Sequence, residues 1–250
     1  MYNLYQGDCL ELMKTITDCS IDMVLCDLPY GTTHCSWDSL IDLSRLWKEY
    51  RRIVKPNGAI LLFSQSPFDK VLAVSNLEEF RYEWIWEKNR ATGHYNAGKM
   101  PLKAHENILV FYRTLPNYYP QKTTGHAPIN HYTKKKDVQS STPLYQYATK
   151  EYSGGGETDR FPRDVLYFPT ERGLHPTQKP VDLCEYLIKT YTKEGDVVLD
   201  NCMGSGTTGV AALRTGRRFI GMEIEEKYFV VSKNRIEQEL QSGFQEKLLW

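Results

Sequence analysis

The chain has 250 residues, 41% hydrophobic and 25% charged, with 31 basic and 31 acidic side chains and a net charge of zero. That is enough apolar material for one large α/β domain or a domain carrying an insertion. No apolar run approaches the roughly 20 residues of a membrane helix, and the start Met1-Tyr2-Asn3-Leu4 lacks the regions of a secretory leader, so a cytoplasmic protein without a membrane partner is expected.

Residues 4–8 read as a short strand ending at Gly7-Asp8, and residues 9–14, with Leu10 and Met13 in helical spacing, as a short helix. The apolar run Met23-Val24-Leu25-Cys26 is of strand length, and Pro29 cannot continue a central strand, so Asp27-Leu28-Pro29-Tyr30 falls at a strand's carboxyl end, where open α/β sheets hold their ligands. Asp27 can accept a hydrogen bond, the backbone fixed before Pro29 can aim a carbonyl, and Tyr30 offers a flat face. The set suits a planar ring with an exocyclic amine. Four such residues taken alone also describe an ordinary turn.

Residues 40–53 place Leu43, Leu46, Trp47, Tyr50 and Ile53 on one helical face, Lys55-Pro56-Asn57-Gly58 reads as a stop, and residues 59–63 as a buried strand. A helix over 67–74 and strands over 81–86 and 105–112 follow. From 113 to 170 the pattern breaks: tyrosines recur among Lys, Thr, Pro and Gln, including the run Lys134-Lys135-Lys136. Between Lys88 and Lys150 ten cations face only Glu106 and Asp137, so this span carries +8 and the remainder −8. Cations interleaved with aromatics on an acidic scaffold suit phosphates and bases; a small structural subdomain with a solvated surface has the same composition.

Residues 181–191 have a helical period. Val197-Val198-Leu199-Asp200 reads as a buried strand, followed by Asn201-Cys202-Met203-Gly204-Ser205-Gly206-Thr207-Thr208 and a helix of small residues. Strand, glycine turn and helix is the context in which a backbone approaches a ligand closely. No Lys follows the second glycine, which excludes a nucleotide P-loop. The next strand, residues 217–223, ends on Glu223, 17 residues after Gly206, near the spacing at which an acid meets ribose hydroxyls in dinucleotide folds. The six cysteines form no C-x-x-C pair, so reduced, mostly buried thiols and no metal site are expected.

In this order the blocks G-D, D-L-P-Y, His175-Pro176-Thr177-Gln178-Lys179-Pro180, D-x-x-x-G-S-G-T-T and G-M-E resemble the S-adenosylmethionine-dependent amino DNA methyltransferases of the permuted group, in which the D-P-P-Y motif precedes the cofactor motif. The resemblance covers nearly all of the chain outside residues 113–170. It implies a doubly wound, Rossmann-like, mostly parallel sheet of about seven strands. Residues 1–112 would be the catalytic half, 113–170 a target-recognition insert and 171–250 the cofactor half. Asp27, Leu28, Pro29 and Tyr30 would engage a flipped-out base of double-stranded DNA. Asp200, Gly204, Ser205, Gly206, Thr207 and Thr208 would hold the methionine end of S-adenosyl-L-methionine, Glu223 its ribose and Asp8 its adenine neighbourhood. Thr177 and Lys179 would lie beside the cofactor, and Lys134, Lys135 and Lys136 on DNA phosphates.

Two positions depart from the family: Leu28 replaces the usual proline, and Asn201-Cys202 replace the usual Pro-Phe. An acid at the first motif position resembles adenine-N6 enzymes; cytosine-N4 methylation, RNA or protein amide methylation, and an inactive DNA-binding relative are the alternatives. No Pro-Cys dipeptide is present to carry a covalent cytosine-carbon mechanism. A cognate restriction nuclease and a homodimer are both compatible with the resemblance.

Overall fold

The computed structural model describes residues 1–31, 40–134, 152–171, 173 and 178–247. Two compact units are distinguished, one formed by Met1–Tyr119 with Asp164–Trp250 and the other by Pro120–Arg163.

In chain order the strands are β1 (Tyr2–Gln6), β2 (Ile21–Asp27), β3 (Val54–Ser64), β4 (Phe80–Thr92), β5 (Lys103–Phe111), β6 (Tyr132–Lys134), β7 (Tyr152–Gly154), β8 (Val165–Tyr167), β9 (Val197–Asp200) and β10 (Arg218–Glu223). The α-helices are α1 (Cys9–Leu12), α2 (Leu43–Ile53), α3 (Phe68–Ser75), α4 (Val181–Tyr191), α5 (Thr207–Arg214) and α6 (Glu226–Lys247). Eight strands form the main sheet in the order β1-β10-β9-β2-β3-β5-β4-β8. Every pairing is parallel except the two made by β5. The sheet is therefore mixed, and it has one strand more than the seven expected among the described residues. The short β8, inside the stretch where the sequence pattern breaks, pairs with β4 over Ile85↔Val165 to Glu87↔Tyr167.

The central strands are buried on both faces, which explains their continuous apolar runs. On β2, Met23 and Leu25 face one core with Leu61, Phe63, Val198 and the helices α4 and α5; Val24 and Cys26 face the other with Ile60, Leu62, Leu199 and α2. Helix α2 starts at Leu43 rather than 40 because the Asp42 carboxylate caps it, accepting from the Ser44 and Arg45 amides. It buries Leu46, Trp47, Tyr50 and Ile53 as the spacing predicts.

Lys55-Pro56-Asn57-Gly58 does not separate α2 from β3. The strand begins at Val54, and pairing with β2 steps from Ile21↔Val54 to Met23↔Ala59. Residues 55–58 thus bulge opposite Asp22, whose carboxylate accepts from Lys55 Nζ at 2.6 Å and from the Val197 amide at 2.9 Å. At the start of the chain, β1 lies two residues earlier than expected, because Asp8 caps α1 by accepting from the Leu10 amide at 2.7 Å. That helix is a single turn followed by a 3-10 turn over Met13–Thr15. The unit Pro120–Arg163 holds the antiparallel pair β6–β7, a bridge between Thr123 and Arg160, and a Lys122–Asp159 ion pair of 2.7 Å. No helix among the described residues is long and apolar enough to cross a membrane.

Candidate active site

Parallel strands deliver their carboxyl ends to one rim of the sheet. That rim collects Gly7-Asp8 after β1, Glu223 at the end of β10, Asp200 at the end of β9 and Asp27 at the end of β2. Because β5 runs the other way, its first half reaches the same rim, and Glu106 stands one residue before the Ser64↔Asn107 pair. These residues line one cavity of about 510 Å³, within the range of cofactor and substrate sites.

The cofactor-type half is a backbone construction. Asp200 accepts from the Cys202 amide at 3.1 Å, which turns the chain out of β9. Gly204 and Gly206 take φ values of +49° and +77°. A Cβ on Gly206 would lie 2.9 Å from Ser232 Cβ of α6, so α6 packs too closely for any side chain there. Glu223 takes the Gly204 amide at 2.8 Å on one oxygen and the Glu225 amide at 2.9 Å on the other. Ser205, Thr207 and Thr208 line the cavity at the start of α5. Arg235 of α6 donates to Thr207 Oγ1 at 2.9 Å and toward the Ser205 carbonyl at 3.3 Å, holding the loop from outside. Burial pushes the Asp200 carboxyl up to about 7 and raises that of Glu223, against the bonds from the Glu225 and Gly204 amides.

The second half is built on Asp27. Its Oδ1 accepts from Tyr30 Oη at 2.6 Å and its Oδ2 from Lys179 Nζ at 2.5 Å. The Tyr30 ring stacks on Phe68, with centroids 5.2 Å apart and planes at 28°. Leu28 is buried, while Pro29 and Tyr30 are half-buried and line the cavity. Burial pushes the Asp27 carboxyl up and the nearby Glu106 adds to this, while the Lys179 ammonium opposes both. Lys179 also lies 3.2 Å from Glu106 Oε2, and Glu106 Oε1 accepts from Lys88 Nζ at 2.5 Å and Gln65 Nε2 at 3.3 Å. Burial alone would raise Glu106, but the two ammonium groups hold its carboxyl below the usual range.

All the sequence-derived candidates from Asp8 to Tyr30 and from Asp200 to Glu223, except Gly206, line this cavity, as does Lys179. The Lys179 ammonium is placed on Asp27 and Glu106. Gly206 supports the loop from behind. Thr177, Lys135 and Lys136 lie outside the described residues, and Lys134 is described as part of β6 only by its backbone. Glu106, Lys88 and Arg235 were not found by sequence reasoning. The one available signal was an acid, Glu106, opening the apolar run Ile108-Leu109-Val110-Phe111. Among the described residues no group of His, Cys, Asp and Glu is arranged to hold a metal ion.

The chain is similar to the Type II methyltransferases M.HinfI of Haemophilus influenzae, 27% identical over 94% of this chain and 68% of that protein, and M2.DpnII of Streptococcus pneumoniae, 28% identical over 94% and 90%. Its fold is that of the M1.HpyAVI–SAM complex, with a TM-score of 0.64 and 23% identity over 94% of this chain and 99% of that one. It is equally that of the cytosine-N4-specific PvuII DNA methyltransferase, with a TM-score of 0.67 and 18% identity over 94% and 86%. The family model for N6/N4 DNA methylases matches residues 21–234, and the chain belongs to that DNA methylase family.

Proposed function

We propose that this DNA methyltransferase is site-specific and transfers a methyl group from S-adenosyl-L-methionine to the exocyclic N6 amine of an adenine turned out of the duplex. The observation that carries the reading is that the Asp27 carboxylate and the Gly204–Thr208 loop share one cavity. The residues fit the cofactor. A glycine turn with a helix start and buried acids at two adjacent strand ends suits a nucleoside joined to a charged amino acid. Asp200 and the glycine loop would take the methionine end, Glu223 the ribose and Asp8 the adenine side. Bound there, S-adenosylmethionine supplies an electrophilic methyl group.

The chain's own residues then act on the amine. An aromatic amine is a poor nucleophile because its lone pair is delocalised into the ring. Its atom is also unreachable inside a stacked duplex, so the base must be extruded. Asp27 and the Leu28 carbonyl would accept the amine's two hydrogens while Tyr30 packs on the ring. That arrangement favours a tetrahedral nitrogen with its lone pair directed at the methyl. Positive charge grows on the nitrogen during transfer, and an ionised Asp27 stabilises it. An acid in the first motif position favours adenine over cytosine, where serine is commoner. The unit Pro120–Arg163 would supply target recognition, with Lys134, Lys135 and Lys136 on phosphates, contacts that position without reading sequence.

The test is incubation with methyl-labelled S-adenosylmethionine and unmethylated genomic DNA, followed by digestion to nucleosides and mass spectrometry. N6-methyladenine is the expected product; N4-methylcytosine would move the reading to the other base. Asp27→Ala is expected to lower turnover by at least a thousandfold while cofactor affinity stays within a few-fold. Near-normal activity would remove Asp27 from this role.

A further inference from the structure

The Lys179–Glu106 pair is a buried ion pair in the wall of the cavity, beside Asp27. The two side chains are only 8% and 9% exposed, and burying two charges is costly unless they are matched and hydrogen-bonded. They are matched in a row. Along the row the order is Asp27, Lys179, Glu106, Lys88, alternating in sign, with contacts of 2.5, 3.2 and 2.5 Å. Glu106 Oε2 has no hydrogen bond among the described residues beyond this ion-pair approach to Lys179. Its place in the row is thus explained by Lys179.

Consider what faces Asp27 from each side. Tyr30 donates to it from its own loop, Glu106 comes from β5, Asp200 from the neighbouring β9 and Cys184 from α4. Lys88 reaches it only through Glu106. Apart from Lys179, each group in this first circle is neutral or acidic. A burying environment with two further carboxyl groups favours the protonated acid, which is a weaker acceptor and carries no charge to stabilise a developing cation.

We propose that Lys179 is the positioning residue for Asp27: it fixes the carboxylate's orientation at the cavity wall and keeps it an anion while the target amine docks. This inference rests on Asp27 being the acceptor in methyl transfer. It places the Lys179 ammonium in service of the base rather than of the cofactor's carboxylate.

The experiment is the pH dependence of single-turnover methyl transfer at saturating S-adenosylmethionine, together with cofactor affinity by calorimetry, for the full chain and its K179M, K179R, E106Q, K179M/E106Q and D27N variants. Activity that needs ionised Asp27 rises with pH through its pKa, so losing the cation moves the acidic limb upward. K179M is expected to be at least a hundredfold slower at pH 7, to have its acidic limb raised by at least one pH unit, and to bind cofactor within threefold of wild type. K179R keeps the wild-type limb. E106Q removes a repelling charge and lowers the limb, a reading that stands even if K179M does not fold. K179M/E106Q moves back toward wild type. A wild-type limb in K179M or in E106Q overturns the proposal, as does K179M with cofactor affinity weakened more than tenfold and an unchanged rate at saturation. If D27N turns over normally, the acceptor reading itself falls; if D27N is dead and the limbs do not move, only the role of Lys179 falls.

Discussion

Asp200 is 4% exposed at the end of β9, and burial pushes its carboxyl up to about 7. A folded-state pKa above the ordinary 3.8 means that the folded chain holds the proton more tightly than the unfolded one. The resulting stabilisation is fully present below about pH 4 and is lost as pH rises through about 7. Asp200→Asn removes the charge, so the cofactor-free variant is expected to gain stability over wild type by roughly 2 to 3 kcal/mol more at pH 8 than at pH 5. Thermal melts at the two pH values read this, and an equal shift at both would count against it. At Gly206, alanine must adopt φ +77° and meet Ser232 Cβ at 2.9 Å. A loss of about 1–3 kcal/mol is expected, with weaker cofactor binding in calorimetry; unchanged melting would mean that α6 yields at that point. Residues of this kind were legible when chemistry sat in a short motif, as with Asp27-Leu28-Pro29-Tyr30 or the glycine turn. Lys88 and Glu106 were not, because an ion pair between strands 18 residues apart leaves no mark in local sequence.

Elements followed their apolar patterns where both faces were buried. The strand β9 and the helix α4 lie where the sequence places them, and β2 contains the expected run. Edge and irregular pieces did not. The edge strand β1 has few buried positions, the bulge over residues 55–58 imitates a turn, and β8 is three residues long. Helix α6 went unread because its packing contacts are made by small or isolated residues such as Ser232 and Ile236 amid polar ones. Yet α6 bears on the site through Arg235, which ties the loop at Thr207 and Ser205 and approaches Glu171 at 3.9 Å. Glu171 in turn accepts from the Val181 amide that opens α4 at 2.9 Å. Arg235→Ala is expected to raise the cofactor dissociation constant about tenfold while leaving the acidic limb of the pH profile in place, since it touches neither Asp27 nor Lys179. Calorimetry and the pH profile together check this; a shifted limb with normal affinity would refute it.

Across the whole molecule, zero net charge conceals a span of +8 between Lys88 and Lys150. A chain that neutralises phosphates with such a span releases counterions, so its affinity falls steeply with salt. Replacing Lys134, Lys135 and Lys136 with alanine should weaken binding to all DNA sequences alike and flatten the plot of log affinity against log salt by up to about 0.9 for each phosphate no longer neutralised. Fluorescence anisotropy over a salt series measures both, and weakening confined to one sequence would assign these lysines to readout instead. Fold class and the order of the blocks were legible at this scale because they follow from strand and helix succession. The mostly parallel sheet was legible too, but not which strand runs the other way, since the direction of β5 depends on a hairpin with β4 that the apolar pattern does not encode.

The pairing of β1 with β10 has a consequence in time. Tyr2 lies opposite Phe219 and Gln6 opposite Glu223, and among the described residues β1 has no other partner in the sheet. A ribosome adding about 5–20 residues per second releases β10 roughly ten to forty seconds after β1. For most of that interval the residues that would grip the base are already made while the glycine loop is not, and the cavity has one wall. A nascent chain that still lacks β10 therefore has an incomplete cavity, which closes only when that strand pairs with β1 and β9.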